Sequence, residues 1–264
     1  MHRSARHHRT RLVTALATTL IALATCGLAG AEDGAAQPAE RAPTPPSYSA
    51  EYQLGNGALD IGRTDMALKK LGEHWRFVSE TRATGVMKLL MEGKVRERSD
   101  FALGAQGIRL LSYAFRDENK SRRDASAEVD WAAGKLDYRY RGRGGSLPLE
   151  GIDSLHDRLS SSIAVMLALV DGRLRENGEA LQLSVFDGDE IKPMRFAVAG
   201  RESIDTPRGE VEALRVERLR ANDRRRTLTW YAPSLDYVPV RIEQHKDGKL
   251  VVRMSLHKLA TGVD

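Results

Sequence analysis

From Tyr48 onward, apolar side chains return at every second position through most of the chain. That period places alternate side chains on opposite faces of an extended strand, so each run belongs to a sheet with one buried face. Leu250, Val252, Met254 and Leu256 alternate with Lys249, Arg253, Ser255 and His257. The same rhythm runs through Tyr48, Ala50, Tyr52 and Leu54, through Leu136, Tyr138 and Tyr140, and through Leu181, Leu183 and Val185. It recurs in Met194, Phe196 and Val198 and in Val238, Val240 and Ile242. Turn-forming residues separate the runs, as in Gly55-Asn56-Gly57, Asp187-Gly188 and Lys246-Asp247-Gly248. Short turns join antiparallel neighbours, and the spacing predicts about a dozen such strands.

One segment departs from this period. Ile152, Leu155, Leu159, Ile163, Met166 and Val170 recur at steps of three and four, which predicts a helix near 153–171. Ser154 with Asp157 fits a start signal, and Asp171-Gly172 fits a stop. The run Ile163–Val170 is apolar nearly all round but far too short to cross a bilayer. The expected fold is therefore mainly β: a strongly curled antiparallel sheet or half-barrel around one α-helix.

The N-terminus reads as an address. Arg3, Arg6, Arg9 and Arg11 precede an apolar stretch from Leu12 to Leu23, followed by Ala29-Gly30-Ala31. These are the three parts of a signal peptide over residues 1–31, which implies export to the periplasm and no transmembrane span in the mature chain. The alternative is Leu23-Ala24-Thr25-Cys26 as a lipoprotein box, with a lipid anchor on Cys26. Cleavage after Ala31 would leave no cysteine, which suits an oxidising compartment. Residues 32–47 are rich in Ala and Pro and read as a linker to a single domain over 48–264. The formal charge of +5 belongs mostly to the leader: 41 basic residues less its four arginines leave 37 against 36 acids, or +1. A chain so nearly neutral has no long-range field to gather polyanions, so nucleic acid is not an expected partner.

No serine-hydrolase elbow, zinc-protease helix, phosphate loop or dinucleotide fingerprint occurs, so no catalytic, cofactor or metal residue is assigned. His74, His156, His245 and His257 are scattered and read as surface residues. Ser154, His156, Asp157 and Ser160 hold the ingredients of a triad, but successive helical positions point in different directions. Asp187, Asp189 and Glu190 lack the spacing of a calcium loop and read as a solvated turn. Arg218, Arg220, Arg224, Arg225 and Arg226 flank Ala221-Asn222-Asp223, a hairpin tip. The bland explanation is a strand edge guarded by charge. The functional one makes Arg224, Arg225 and Arg226 candidate binding residues for an anionic envelope component, such as lipid phosphates or an acidic glycan.

Several short landmarks stand in a set order: Tyr52 with its Gly-rich turn, Val129-Asp130-Trp131, Asp157-Arg158-Leu159-Ser160, Thr206-Pro207-Arg208-Gly209, Trp230-Tyr231 and Tyr237-Val238-Pro239-Val240-Arg241-Ile242. Together they resemble the bacterial exported family called domain of unknown function 3108, over roughly residues 48 to 260. The resemblance implies an envelope-associated, predominantly antiparallel β protein with no assigned activity. The architecture it suggests is loosely similar to the half-barrels of periplasmic lipoprotein carriers, and architecture alone does not set function. The leading expectation is non-enzymatic binding of an apolar or amphiphilic envelope ligand in the groove between sheet and helix. The alternatives are a protein-interaction module of an envelope complex and, third, an envelope hydrolase.

Overall fold

The structure, a computed structural model, describes residues 43–57, 59–89, 92–222 and 224–262, all within the unit Ala42–Asp264. The leader, Cys26 and the linker up to residue 42 lie outside the described residues. Eight strands come first: β1 (Tyr48–Gly55), β2 (Asp60–Leu71), β3 (His74–Ala83), β4 (Val95–Gly104), β5 (Gly107–Asp117), β6 (Ala125–Asp130), β7 (Lys135–Tyr140) and β8 (Arg143–Pro148). A two-residue strand β9 (His156–Asp157) and the helix α1 (Ser161–Val170) follow. Then come β10 (Leu181–Phe186), β11 (Ile191–Thr206), β12 (Gly209–Leu219), β13 (Arg225–Ala232), β14 (Val238–Lys246) and β15 (Lys249–Thr261).

All fifteen strands form one sheet, in the order β8-β7-β6-β5-β4-β3-β2-β1-β15-β14-β13-β12-β11-β10-β9. The chain starts in the middle, steps outward strand by strand to β8, crosses to the opposite edge as β9, and steps back until β15 closes against β1. Every neighbouring pair is antiparallel except β9 with β10. The hairpins expected from the turn residues account for this order, because a short turn can only return the chain beside itself. The segment at β9 has a second attachment. Leu155 N donates to Ile108 O at 3.1 Å and Leu110 N to Leu155 O at 3.0 Å, while His156 and Asp157 pair with Val185 and Phe186. Three residues thus hydrogen-bond to both β5 and β10.

Register turns the two-residue period into a core. Tyr48 lies opposite Leu68, and Leu68 opposite Phe77, so their side chains share one face. They pack in one cluster with Trp230, Tyr231, Val238 and Val240 from the far half of the sheet and Ile163, Val165 and Met166 from α1. Tyr52 is fully buried in this cluster, and its hydroxyl donates to Pro239 O at 2.8 Å. A second cluster gathers Leu110, Tyr113, Phe115, Leu136, Leu155 and Phe186. Eight of the ten residues of α1 are buried, as expected of a helix apolar all round.

The helix starts at Ser161, later than the apolar stripe predicted. Leu155 to Asp157 are extended, because their backbone groups are taken by β5 and β10. Ser154 Oγ donates to Ile108 O at 2.9 Å and caps nothing. No side chain caps α1; Asp157 instead holds the turn before it, its Oδ1 accepting from Leu159 N at 2.7 Å and Ser160 N at 2.9 Å. Ser160 Oγ in return accepts from Asp157 N at 3.0 Å. The stop stands where expected: Asp171 N donates to Leu167 O at 3.0 Å, and Gly172 follows with φ +74°.

Close strand approach makes one glycine testable. A Cβ on Gly62 of β2 would lie 2.7 Å from the Arg82 carbonyl oxygen on β3. Gly62→Ala must push two backbones apart and is expected to lower stability by about 1–3 kcal/mol. A urea titration reads this as an earlier midpoint, and an unchanged midpoint would mean the pair yields at no cost.

Candidate functional site

A cavity of about 1240 Å³ crosses β15, β1, β2, β3, β4 and β5. Its lining follows two cross-strand rows. Ala260, Ser49, Ala67, Val78, Arg98 and Ala114 are successive partners across the six strands. So are Lys258, Glu51, Asp65, Glu80, Arg96 and Arg116. Both rows alternate with Tyr48, Leu68 and Phe77 and therefore carry their side chains on the face away from the core. Five of the first six are small or aliphatic and make a shallow floor, while all six of the second are charged.

The charged row neutralises itself. Glu51 meets Arg63 at 3.1 Å and Lys258 at 3.6 Å, Asp65 pairs with Arg82, and Glu80 holds Lys94 at 2.7 Å and Arg96 at 2.8 Å. The hydrogen bonds from Lys94 and Arg96 hold the Glu80 carboxyl below the usual carboxylate range. What such a rim offers a ligand is the aliphatic stems of its long side chains as much as their charges. Arg208, from the turn between β11 and β12, also lines the cavity and donates to Leu259 O at 2.6 Å. No residue of α1 lines this cavity, contrary to the expected groove between sheet and helix. The helix fills that space itself, and a smaller cavity of about 250 Å³ reaches it at Ala164 and Leu167.

The arginine hairpin forms as expected, with β12 and β13 paired antiparallel. Arg224 and Arg225 line a concavity of about 630 Å³ together with Lys192, Arg218, Arg220 and Lys246. Arg226 does not: it turns to Glu217, with nitrogen–oxygen distances of 2.7 and 2.8 Å. Lys192 and Lys246 had no signal in the sequence, because β11 and β14 bring them in through pairing, as in Arg225 opposite Lys246. Asp187, the one acid of the lining among the described residues, is held by Lys192 at 2.7 Å. Burial and the neighbouring Arg220 push the Arg218 guanidinium below its ordinary range, and burial and Arg225 do the same to Arg220.

The residues that superficially offered a triad do not converge. His156 is buried, against the surface position expected of it, and its Nδ1 faces the Ser184 carbonyl at 3.2 Å. Burial pushes its pKa down to about 4. Asp157 is fully buried beneath the Ser99 hydroxyl, and burial pushes its pKa up to about 6 against its own hydrogen bonds. Nearby, Tyr113 donates to Glu97 at 2.5 Å and accepts from Arg158 at 2.8 Å. These groups face one another and the backbone in a packed interior. Asp187 and Glu190 both pair with Lys192, and among the described residues no group of three or more His, Cys, Asp or Glu is placed to hold a metal ion.

Three solved structures align with the chain at low identity. A Bacteroides fragilis protein, described as exported and YmcC-like in fold, aligns at 8% identity and TM-score 0.30 over 81% of this chain and 94% of its own. The Escherichia coli lipoprotein YmcC aligns at 12% and 0.28, over 81% and 85%. A Parabacteroides distasonis protein described as a lipoprotein aligns at 11% and 0.29, over 82% and 96%. Likeness at this level carries nothing about fold or activity. No curated protein matches the chain. Residues 47–255 match the family model described as a protein of unknown function, DUF3108, and the chain belongs to that family.

Proposed function

We propose that this protein works on the periplasmic side of the bacterial envelope as a non-enzymatic binder of an amphiphilic lipid, held in the groove across β15 and β1–β5. The observation that carries this reading is the floor of Ala260, Ser49, Ala67, Val78 and Ala114 beside a charge-compensated rim. At about 1240 Å³ the groove exceeds the roughly 300–1,000 Å³ of a small-molecule site, which suits a long acyl ligand. An acyl chain gains by covering the floor and the stems of the rim, while its head stays among the rim charges. The sheet is read as curled, since Leu155–Asp157 bonds to β5 and β10 at once. The leader pattern supports export.

A fluorescent long-chain fatty acid tests the reading. Purified, delipidated protein is expected to take it up, and Ala67→Phe, which raises the floor, is expected to reduce uptake at least tenfold with folding retained. No uptake, or uptake indifferent to Ala67→Phe and Val78→Trp in variants that fold, would remove the groove from consideration. A second reading, an interaction module, is favoured by β8, which ends the sheet with exposed Arg143, Gly144 and Gly145 and offers a free edge to a partner strand.

A further inference from the structure

Among the described residues, the concavity beside the β12–β13 hairpin is lined by six bases and one acid. Its residues come from four places in the chain: Lys192 lies near the start of β11, Arg218 near the end of β12, Arg224 and Arg225 at the start of β13 or just before it, and Lys246 at the end of β14. The acid is already engaged, with Asp187 held by Lys192 at 2.7 Å and lying 3.7 Å from Arg158. Arg224 has an exposed partner in Asp247 at 3.2 Å. Among the described residues, no carboxylate lies within ion-pair distance of Arg218, Arg220, Arg225 or Lys246. Basic residues elsewhere in the sheet are paired with acids, as at Glu80 and Glu217. Here like charges are crowded, and two of them are partly desolvated. That arrangement is unfavourable for the empty protein and favourable once a multivalent anion supplies the missing charge.

We propose that this concavity binds an anion carrying two or more phosphate groups, free in solution or as the head of a lipid, between Arg218, Arg220, Arg225 and Lys246. The planar guanidinium presents paired donors to phosphate oxygens, and the lysine adds a point charge. Because the bases sit on both sides of a hollow of about 630 Å³, a compact head fits better than a flat surface would. The site shares no lining residue with the groove across β15 and β1–β5, so either can fail alone.

The test uses titration calorimetry with inorganic pyrophosphate, and co-sedimentation with phosphatidylcholine vesicles with and without cardiolipin, whose head carries two phosphates. Wild-type protein is expected to bind pyrophosphate, with affinity that falls as salt rises. Arg220→Glu with Arg225→Glu should weaken binding at least tenfold. Arg139→Glu with Arg143→Glu, an equal charge change on exposed residues of β7 and β8, should leave it unchanged. If the reversed pair does not fold, Arg220→Gln with Arg225→Gln replaces it, with the same expected direction. Sedimentation only with cardiolipin vesicles assigns the lipid source, and pyrophosphate binding without sedimentation assigns the free one. Binding of neither, or equal losses in both charge-reversed pairs, would overturn the proposal.

Discussion

Asp157→Ala is expected to lower folding stability by about 3 kcal/mol at neutral pH, measured as a shift in the urea midpoint. The carboxylate accepts from Leu159 N at 2.7 Å, Ser160 N at 2.9 Å, Ser160 Oγ at 3.0 Å and the Ser99 hydroxyl, all in the interior. Removing it orphans four buried donors at about 1–3 kcal/mol each. Against that stands the relief of no longer burying a charge. A pKa raised from 3.8 to about 6 corresponds to roughly 3 kcal/mol above pH 6. The orphaned donors outweigh the relief. Asp157→Asn keeps an acceptor for the two backbone groups and should cost distinctly less. A loss under about 1 kcal/mol for Asp157→Ala would mean the donors find other partners and that the turn before α1 is not held as described.

The adjacent His156 and Asp157 should answer pH in opposite directions. His156 has its folded pKa lowered from 6.5 to about 4 by burial, so its contribution is fully present above pH 6.5 and is lost as pH falls toward 4. Asp157 has its folded pKa raised from 3.8 to about 6, so protonation favours the folded state and its contribution is lost as pH rises from 4 through 6. Between about pH 4 and 6 the two slopes cancel, each near 1.4 kcal/mol per pH unit. Relative to wild type, His156→Gln should therefore gain stability as pH falls through that window, by up to roughly 3 kcal/mol. Asp157→Asn should lose a similar amount over the same window. Comparing each variant with wild type removes the background of the surface ion pairs. Difference curves of the same sign, or two flat ones, would show that one of these side chains is not held in the buried state described.

Alternation made the strands readable. Val238, Val240 and Leu256 are core residues because their period puts them on the face with Tyr52, and that period is written in the chain. The turn after α1 was equally legible, since Asp171-Gly172 acts through its own backbone. The helix start was not. Ile152 and Leu155 continue the apolar stripe, yet Leu155 belongs to the second cluster and to an extended segment, because its backbone groups find partners some 45 residues earlier in the chain. His156 was misplaced for the same reason, as its burial is set by β10 rather than by its neighbours in sequence. Of the candidate binding residues, Arg224 and Arg225 line a basic hollow, whereas Arg226 is taken by Glu217 across the hairpin. An even arginine cluster in sequence says nothing about which members already have acids.

The period of the side chains and the chemistry of the turns determined by themselves that this chain builds an antiparallel sheet with one apolar helix, because both act over two to four residues. Tertiary structure alone decided that the helix fills its own groove, that small residues from six strands align into a separate one, and that Lys192 and Lys246 join the arginines. Those arrangements depend on strand register and on the return of β9 to both β5 and β10, and register is settled by contacts between residues far apart in the chain.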